Sequence, residues 1–164
     1  IHTIDLLRWI MGPVDRLWAQ TGTVAHKIEV EDLAAAVARF KNGALGIIQG
    51  STAVYPGLPT RLEVHGTRGT AILEGEALKT WSIMGEEEAA GAEARAEGGL
   101  RSWARPELVP ATNHASLLRD FAHSILEDRE PRVNGVEGRQ SLELIRAIYR
   151  AAKTGRIVSF PLSE

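Results

Sequence analysis

The sequence predicts an α+β domain with a largely antiparallel sheet and helices on one of its faces. Helical periodicity occurs at the start of the chain and again over its last third. β-type patterning fills residues 17–83 between them. Short turn motifs join successive strand segments, and a short connection permits only antiparallel pairing.

The first helix is expected to run from the opening residues through about Met11, because Ile4, Leu7 and Met11 recur at steps of three and four. Gly12-Pro13 ends it: glycine suits the C-terminal cap and proline cannot continue the ladder. Residues 18–28 read as a strand and residues 32–40 as a second, rich in alanine. Asn42-Gly43 then predicts a type I′ hairpin turn, with residues 44–53 returning. Pro56-Gly57 and Pro59 mark a loop. Residues 61–65 and 70–73 flank the turn Gly66-Thr67-Arg68-Gly69, and a further strand covers residues 78–83. Residues 86–99 are mostly Glu, Ala and Gly, and read as a surface excursion without assigned function. Asn113 is placed as the cap of the next helix, with the stripe Leu117, Phe121 and Ile125 and with Leu118 and Ala122 beside it; Pro131 ends it. The last helix, residues 137–154, puts Leu142, Ile145, Tyr149 and Ala152 on one face, and Gly155 closes it before a final strand at 157–160. Residues 44, 46, 48 and 50 are small or apolar, but so are Leu45 and Ile47 on the opposite side. That pattern points to burial of both faces, and so to sheet-mediated homo-oligomerisation.

Composition narrows the function. The chain has 164 residues, enough for one domain, and 44% of them are hydrophobic, enough for a core. A net charge of −2 gives no cationic surplus for phosphates, so nucleic acid is not expected as a partner. No apolar run approaches the roughly 20 residues that span a bilayer, so no membrane partner is expected. With no cysteine, disulfides and thiolate chemistry are excluded, which fits a reducing, cytoplasmic compartment. The chain opens at Ile1 directly in helical pattern, without a capping segment, and is expected to be part of a longer protein.

Several stretches together resemble the C-terminal domain of the Gfo/Idh/MocA oxidoreductases. They are residues 1–9 (Ile-His-Thr-Ile-Asp-Leu-Leu-Arg-Trp), Val30-Glu31-Asp32, Phe40-Lys41-Asn42-Gly43-Ala44, Gly66-Thr67-Arg68-Gly69-Thr70, and the tail with Phe121, Ile125, Pro131, Tyr149, Ala152 and Gly155-Arg156. The similarity covers nearly the whole chain apart from residues 86–105. It implies an open mixed sheet of the kind found in the C-terminal domain of glyceraldehyde-3-phosphate dehydrogenase, a ferredoxin-like elaboration, with residues 1–164 forming one substrate-binding and oligomerisation domain. It further implies an N-terminal Rossmann domain that binds NAD or NADP, a sugar or polyol substrate, and an active site where the two domains meet. Neither a G-x-G-x-x-G unit nor the family's Glu-Lys-Pro segment occurs in this sequence. The nucleotide site is therefore expected on the other domain, and this chain alone is expected to be inactive.

His2 is the candidate catalytic residue. Oxidising a secondary alcohol releases a hydride from carbon and a proton from oxygen, and an imidazole can take or relay that proton near neutral pH. The resemblance gives a histidine at this position contact with the reacting hydroxyl beside the family's lysine. Asp5 shares a helix face with His2 and can either orient the ring or pair with Arg8. His2 and Asp5 without a third ligand do not make a metal site. Tyr55 follows the hairpin, where the family places substrate contacts; the alternative is packing against Pro56. His114 can reach a cleft from the start of its helix, but His123, nine residues on, lies about 180° around. Glu31 and Asp32, adjacent on a strand, point to opposite faces and do not form a carboxylate pair for glycoside hydrolysis. The rival function is a non-catalytic α+β module for assembly or ligand sensing.

Overall fold

The computed structural model describes residues 1–75, 77–86 and 111–163. The acidic and alanine-rich stretch discussed above lies, from residue 87 onward, outside the described residues. The chain divides into two compact units, Ile1–Gly57 with Val133–Glu164, and Leu58–Arg132.

The first unit is an antiparallel sheet covered on one face by two helices. Helix α1 (His2–Met11) leads into β1 (Val14–Gly22), β2 (Leu33–Phe40) and β3 (Leu45–Ser51), and the chain returns through α3 (Gly135–Thr154) to β7 (Val158–Ser159). The strand order is β3-β2-β1-β7. Gly12, at φ 82°, closes α1, its amide bonding to the Arg8 carbonyl, as the Gly-Pro pair predicts. Helix α3 starts at Asn134, whose side chain accepts from the amides of Val136 and Glu137, and Gly155 closes it in the left-handed region.

Small residues decide how closely α3 approaches the sheet. Ala19, Ala36 and Ala38 face Ala147 and Ala151, while Leu17, Phe40 and Leu144 fill the larger spaces; all are at most 3% exposed. The buried face of α3 is therefore Ser141, Leu144, Ala147, Ile148 and Ala151. This corrects the sequence expectation of Leu142, Ile145, Tyr149 and Ala152: Leu142 and Tyr149 are half exposed. Periodicity favours the bulkier stripe, whereas an alanine-lined sheet favours the stripe with small residues. Gly46 follows the same logic, since a Cβ there would lie 2.9 Å from Cε2 of Phe40.

The hairpin between β2 and β3 forms at the predicted residues but with another turn. Gly43 alone has positive φ, at 90°, and its amide bonds to the Phe40 carbonyl. Asn42 instead uses its side chain, accepting from the Ala44 amide and donating to the Met11 carbonyl, each at 3.0 Å. The turn is thus the three-residue form with a glycine bulge rather than type I′. The first strand also ends at Gly22, six residues short of the predicted 28, because Asp32 folds the following segment into a loop.

The second unit carries a sheet of order β4-β5-β6, made of β4 (Arg61–Gly66), β5 (Gly69–Glu74) and β6 (Ala77–Ile83), and helix α2 (Ala111–Leu126). The α+β class and the antiparallel pairing hold throughout, but the described strands divide between two sheets rather than joining in one. The prolines at 56 and 59 supply no amide to a ladder, so pairing stops between β3 and β4. Asn113 falls inside α2 rather than at its cap, and the helix ends at Leu126, before Pro131. Leu117, Leu118, Phe121 and Ile125 are exposed among the described residues.

Candidate functional site

Helix α1 is anchored to α3 by polar contacts that sequence spacing does not reveal. Arg8 donates from Nη1 to Gln140 Oε1 and from Nη2 to Glu137 Oε2, both at 2.6 Å. One turn earlier, Ser141 Oγ donates to Asp5, and Arg8 Nη2 lies 3.7 Å from Asp5 Oδ1. The contacts step backward along α1 as they step forward along α3, so the two helices run antiparallel.

His2 lies at the exposed start of α1. Among the described residues its imidazole makes no hydrogen bond, and in this arrangement Asp5 engages Ser141 and Arg8 rather than the ring. Tyr55 is 95% exposed in the loop after β3. His114 lies exposed on α2, in the other unit. No hydrogen bond joins any two of His2, Asp5 and Tyr55 among the described residues. A cleft of about 250 Å³ opens toward the other end of α1, lined by Arg8, Lys41, Gln140, Glu143 and Phe160 but by none of the predicted site residues.

The most heavily bonded side chain of the first unit is Asp32, to which sequence reasoning assigned no function. It is 2% exposed. Its Oδ1 accepts from the Val24 amide at 2.7 Å, and its Oδ2 accepts from the amides of Ala25 and His26, both at 2.8 Å. His26 Nδ1 lies 3.1 Å from the same oxygen. The Val24 amide above all, with those of Ala25 and His26, outweighs burial and holds the carboxyl far below the usual carboxylate range. Glu31 instead accepts from the Tyr149 hydroxyl at 2.6 Å; this bond lowers the glutamate and raises the phenol. The two acids take different partners, but from a loop and not from opposite faces of a strand as expected, since β2 begins only at Leu33. Asp32 is not readable from its own flanks because its acceptors meet amides six to eight residues earlier.

Among the described residues, no group of three or more His, Cys, Asp or Glu side chains is placed to hold a metal ion. No described helix is long and apolar enough to cross a membrane.

Residues 1–72 match the family model described as GFO/IDH/MocA C-terminal domain. The D-apiose dehydrogenase of Rhizobium rhizogenes is 30% identical over 164 residues, covering 96% of this chain and 46% of that protein. The myo-inositol 2-dehydrogenase of Thermotoga maritima is 28% identical, with the same two shares. The crystal structure of the WlbA dehydrogenase from Bordetella pertussis, in complex with NADH and UDP-GlcNAcA, superposes with a TM-score of 0.76 at 31% identity, over 99% of this chain and 43% of that one. The chain thus spans a little under half the length of the relatives it matches. From the model matched over residues 1–72, these relatives and the shared fold, the chain is similar to the C-terminal domain of the Gfo/Idh/MocA oxidoreductases.

Proposed function

We propose that this chain is the substrate-side domain of an NAD(P)-dependent oxidoreductase that moves a hydride between the nicotinamide and a secondary alcohol of a sugar or polyol. The observation that carries the reading is His2, exposed at the start of a helix that Arg8 and Asp5 brace against α3. A braced helix fixes where the imidazole sits, and an exposed ring with no internal hydrogen-bond partner among the described residues can meet a substrate hydroxyl. Tyr55, Asp5 and His114 are proposed as further substrate contacts. The relatives named above support the class, being dehydrogenases of D-apiose and myo-inositol and one solved with NADH and a nucleotide sugar.

The nicotinamide cofactor supplies the hydride acceptor when bound, and its site is assigned to a Rossmann domain outside residues 1–164. This chain's residues do the rest. The imidazole of His2 takes the hydroxyl proton as the carbon gives up hydride, and the phenol of Tyr55 hydrogen-bonds a second substrate hydroxyl while its ring packs on the carbon skeleton. The absence of cysteine supports the cytoplasm as its compartment. The test is to purify the full-length protein and follow cofactor reduction with NAD and NADP across aldoses, polyols and nucleotide sugars. Turnover of a member of these classes is expected. Its absence across all of them favours the module for assembly or ligand sensing.

The uncovered face of the first sheet supports self-association. Trp18 pairs with Val37 and Val37 with Ile47 across β1, β2 and β3, and these three are 41%, 50% and 84% exposed. Arg16 and Arg39 lie together on one side of this apolar row, which the exposed Leu45 extends beside Arg39, and Gln20, Ala35 and Gln49 lie on the other. An apolar centre with a polar rim is the anatomy of an interface. Replacing Ile47 with Asp is expected to convert an oligomer to monomer in sedimentation velocity with the fold intact by circular dichroism; an unchanged sedimentation coefficient removes this face from the assembly.

A further inference from the structure

Two loops leave the same end of the first unit's sheet, and one residue ties both. Residues 23–31 connect β1 to β2, and residues 52–57 follow β3 and carry Tyr55. The carboxylate of Asp32 gathers the amides of Val24, Ala25 and His26. Its own amide bonds to the Gly22 carbonyl at 3.0 Å. Its carbonyl accepts from Ser51 Oγ and from the Thr52 amide, both at 3.0 Å, and Ser51 Oγ in turn accepts from the Ala53 amide at 3.0 Å. The starts of both loops are therefore set by the position of Asp32.

The chain of contacts leads on toward His2. With Arg8 against Glu137 and Gln140, and Asp5 against Ser141, a further turn back along α1 brings His2 level with about residue 145 of α3. Tyr149 lies four residues beyond, roughly 6 Å along the helix axis, and its hydroxyl holds Glu31 in the first of the two loops.

We propose that Asp32 is a positioning residue for the substrate-binding loops, holding the Tyr55 segment and residues 23–31 at the end of the sheet toward which the start of α1 lies. The proposal rests on the oxidoreductase reading above. The tie to residues 24–26 is specific to a carboxylate, and it fixes the main chain of Asp32, whose carbonyl holds Ser51 and Thr52. Two oxygens accept from three amides, whereas an asparagine in the same place turns an N–H₂ group toward N–H donors.

Asp32→Asn in the full-length protein separates this role from general support. Amide hydrogen exchange at residues 24–26 and at 52–53 is expected to quicken by about tenfold or more, while Leu17 and Ala147 stay protected. The KM for the sugar or polyol is expected to rise by about tenfold, with the KM for the nicotinamide cofactor within about twofold of wild type. Ser51→Ala, which removes only the hydroxyl bonds to Asp32 and Ala53, serves if Asp32→Asn does not fold; its substrate KM is expected to rise by about threefold. An unchanged substrate KM, or faster exchange confined to residues 24–26, overturns the proposal. A wild-type protein that turns over no member of these classes fails the oxidoreductase reading instead, and exchange at residues 52–53 then decides alone whether Asp32 controls that loop.

Discussion

In the full-length protein, His2→Ala is expected to lower kcat by about 10² to 10⁴-fold, the usual contribution of a positioned general base. That range corresponds to about 3–5 kcal/mol of transition-state stabilisation. Binding of substrate and cofactor is expected to change little, because the ring takes no part in the α1–α3 contacts: those belong to Arg8, Asp5, Ser141, Glu137 and Gln140. Steady-state kinetics check both outcomes, and a variant with unchanged kcat removes His2 from the chemistry. Since α1 is braced one turn after His2, the loss is expected without a loss of fold, and thermal unfolding of the variant checks this.

Phe40→Ala is expected to destabilise the first unit by about 3–5 kcal/mol, at the upper end of that range. The residue is 1% exposed and is among the largest fully buried side chains. What raises the cost is Gly46, whose missing Cβ leaves the space that the Phe40 ring occupies. Glycine has no side chain to move into the void, so the site collapses poorly and most of the cavity stays open. Against a typical total stability of about 5–15 kcal/mol, such a loss leaves the unit marginal. Urea denaturation of wild type and variant measures the difference. A value below about 1.5 kcal/mol, the range of a volume-conserving swap, means that the sheet and α3 close over the gap.

The element order was legible because its punctuation is local. Gly12-Pro13, Asn42-Gly43, Gly66 to Gly69 and Gly155 each stop or reverse the chain where they stand in the sequence, and each reads correctly without knowledge of the partners. The turn geometry at Asn42 was not legible. Both hairpin forms accept Asn-Gly, and the Asn42 side chain is spent on the Met11 carbonyl, 31 residues away. The buried face of α3 was misread for the same reason: the alanines of β1 and β2 select alanines on the helix, and hydrophobic periodicity weighs bulk instead. For the site, the placement of His2 and Asp5 on the first helix was readable. The ties from Asp5 to Ser141 and from Tyr149 to Glu31, 136 and 118 residues apart, were not. Asp32 stands between these cases, since its partners are near in sequence but are backbone amides, which carry no residue signature.

The route of the chain has a consequence for biosynthesis. The first unit is interrupted by the second, so the apolar side of β1, β2 and β3 has only α1 over it until residues 133–164 leave the ribosome. At about 5–20 residues per second, Leu17 and Phe40 wait on the order of ten seconds for Leu144 and Ile148. During that interval the nascent hairpins present a greasy surface on both sides, only part of it covered, a natural ligand for a holding chaperone. Meanwhile the inserted β4–β6 meander, whose pairings are all between neighbours in the chain, has everything it needs to zip up first.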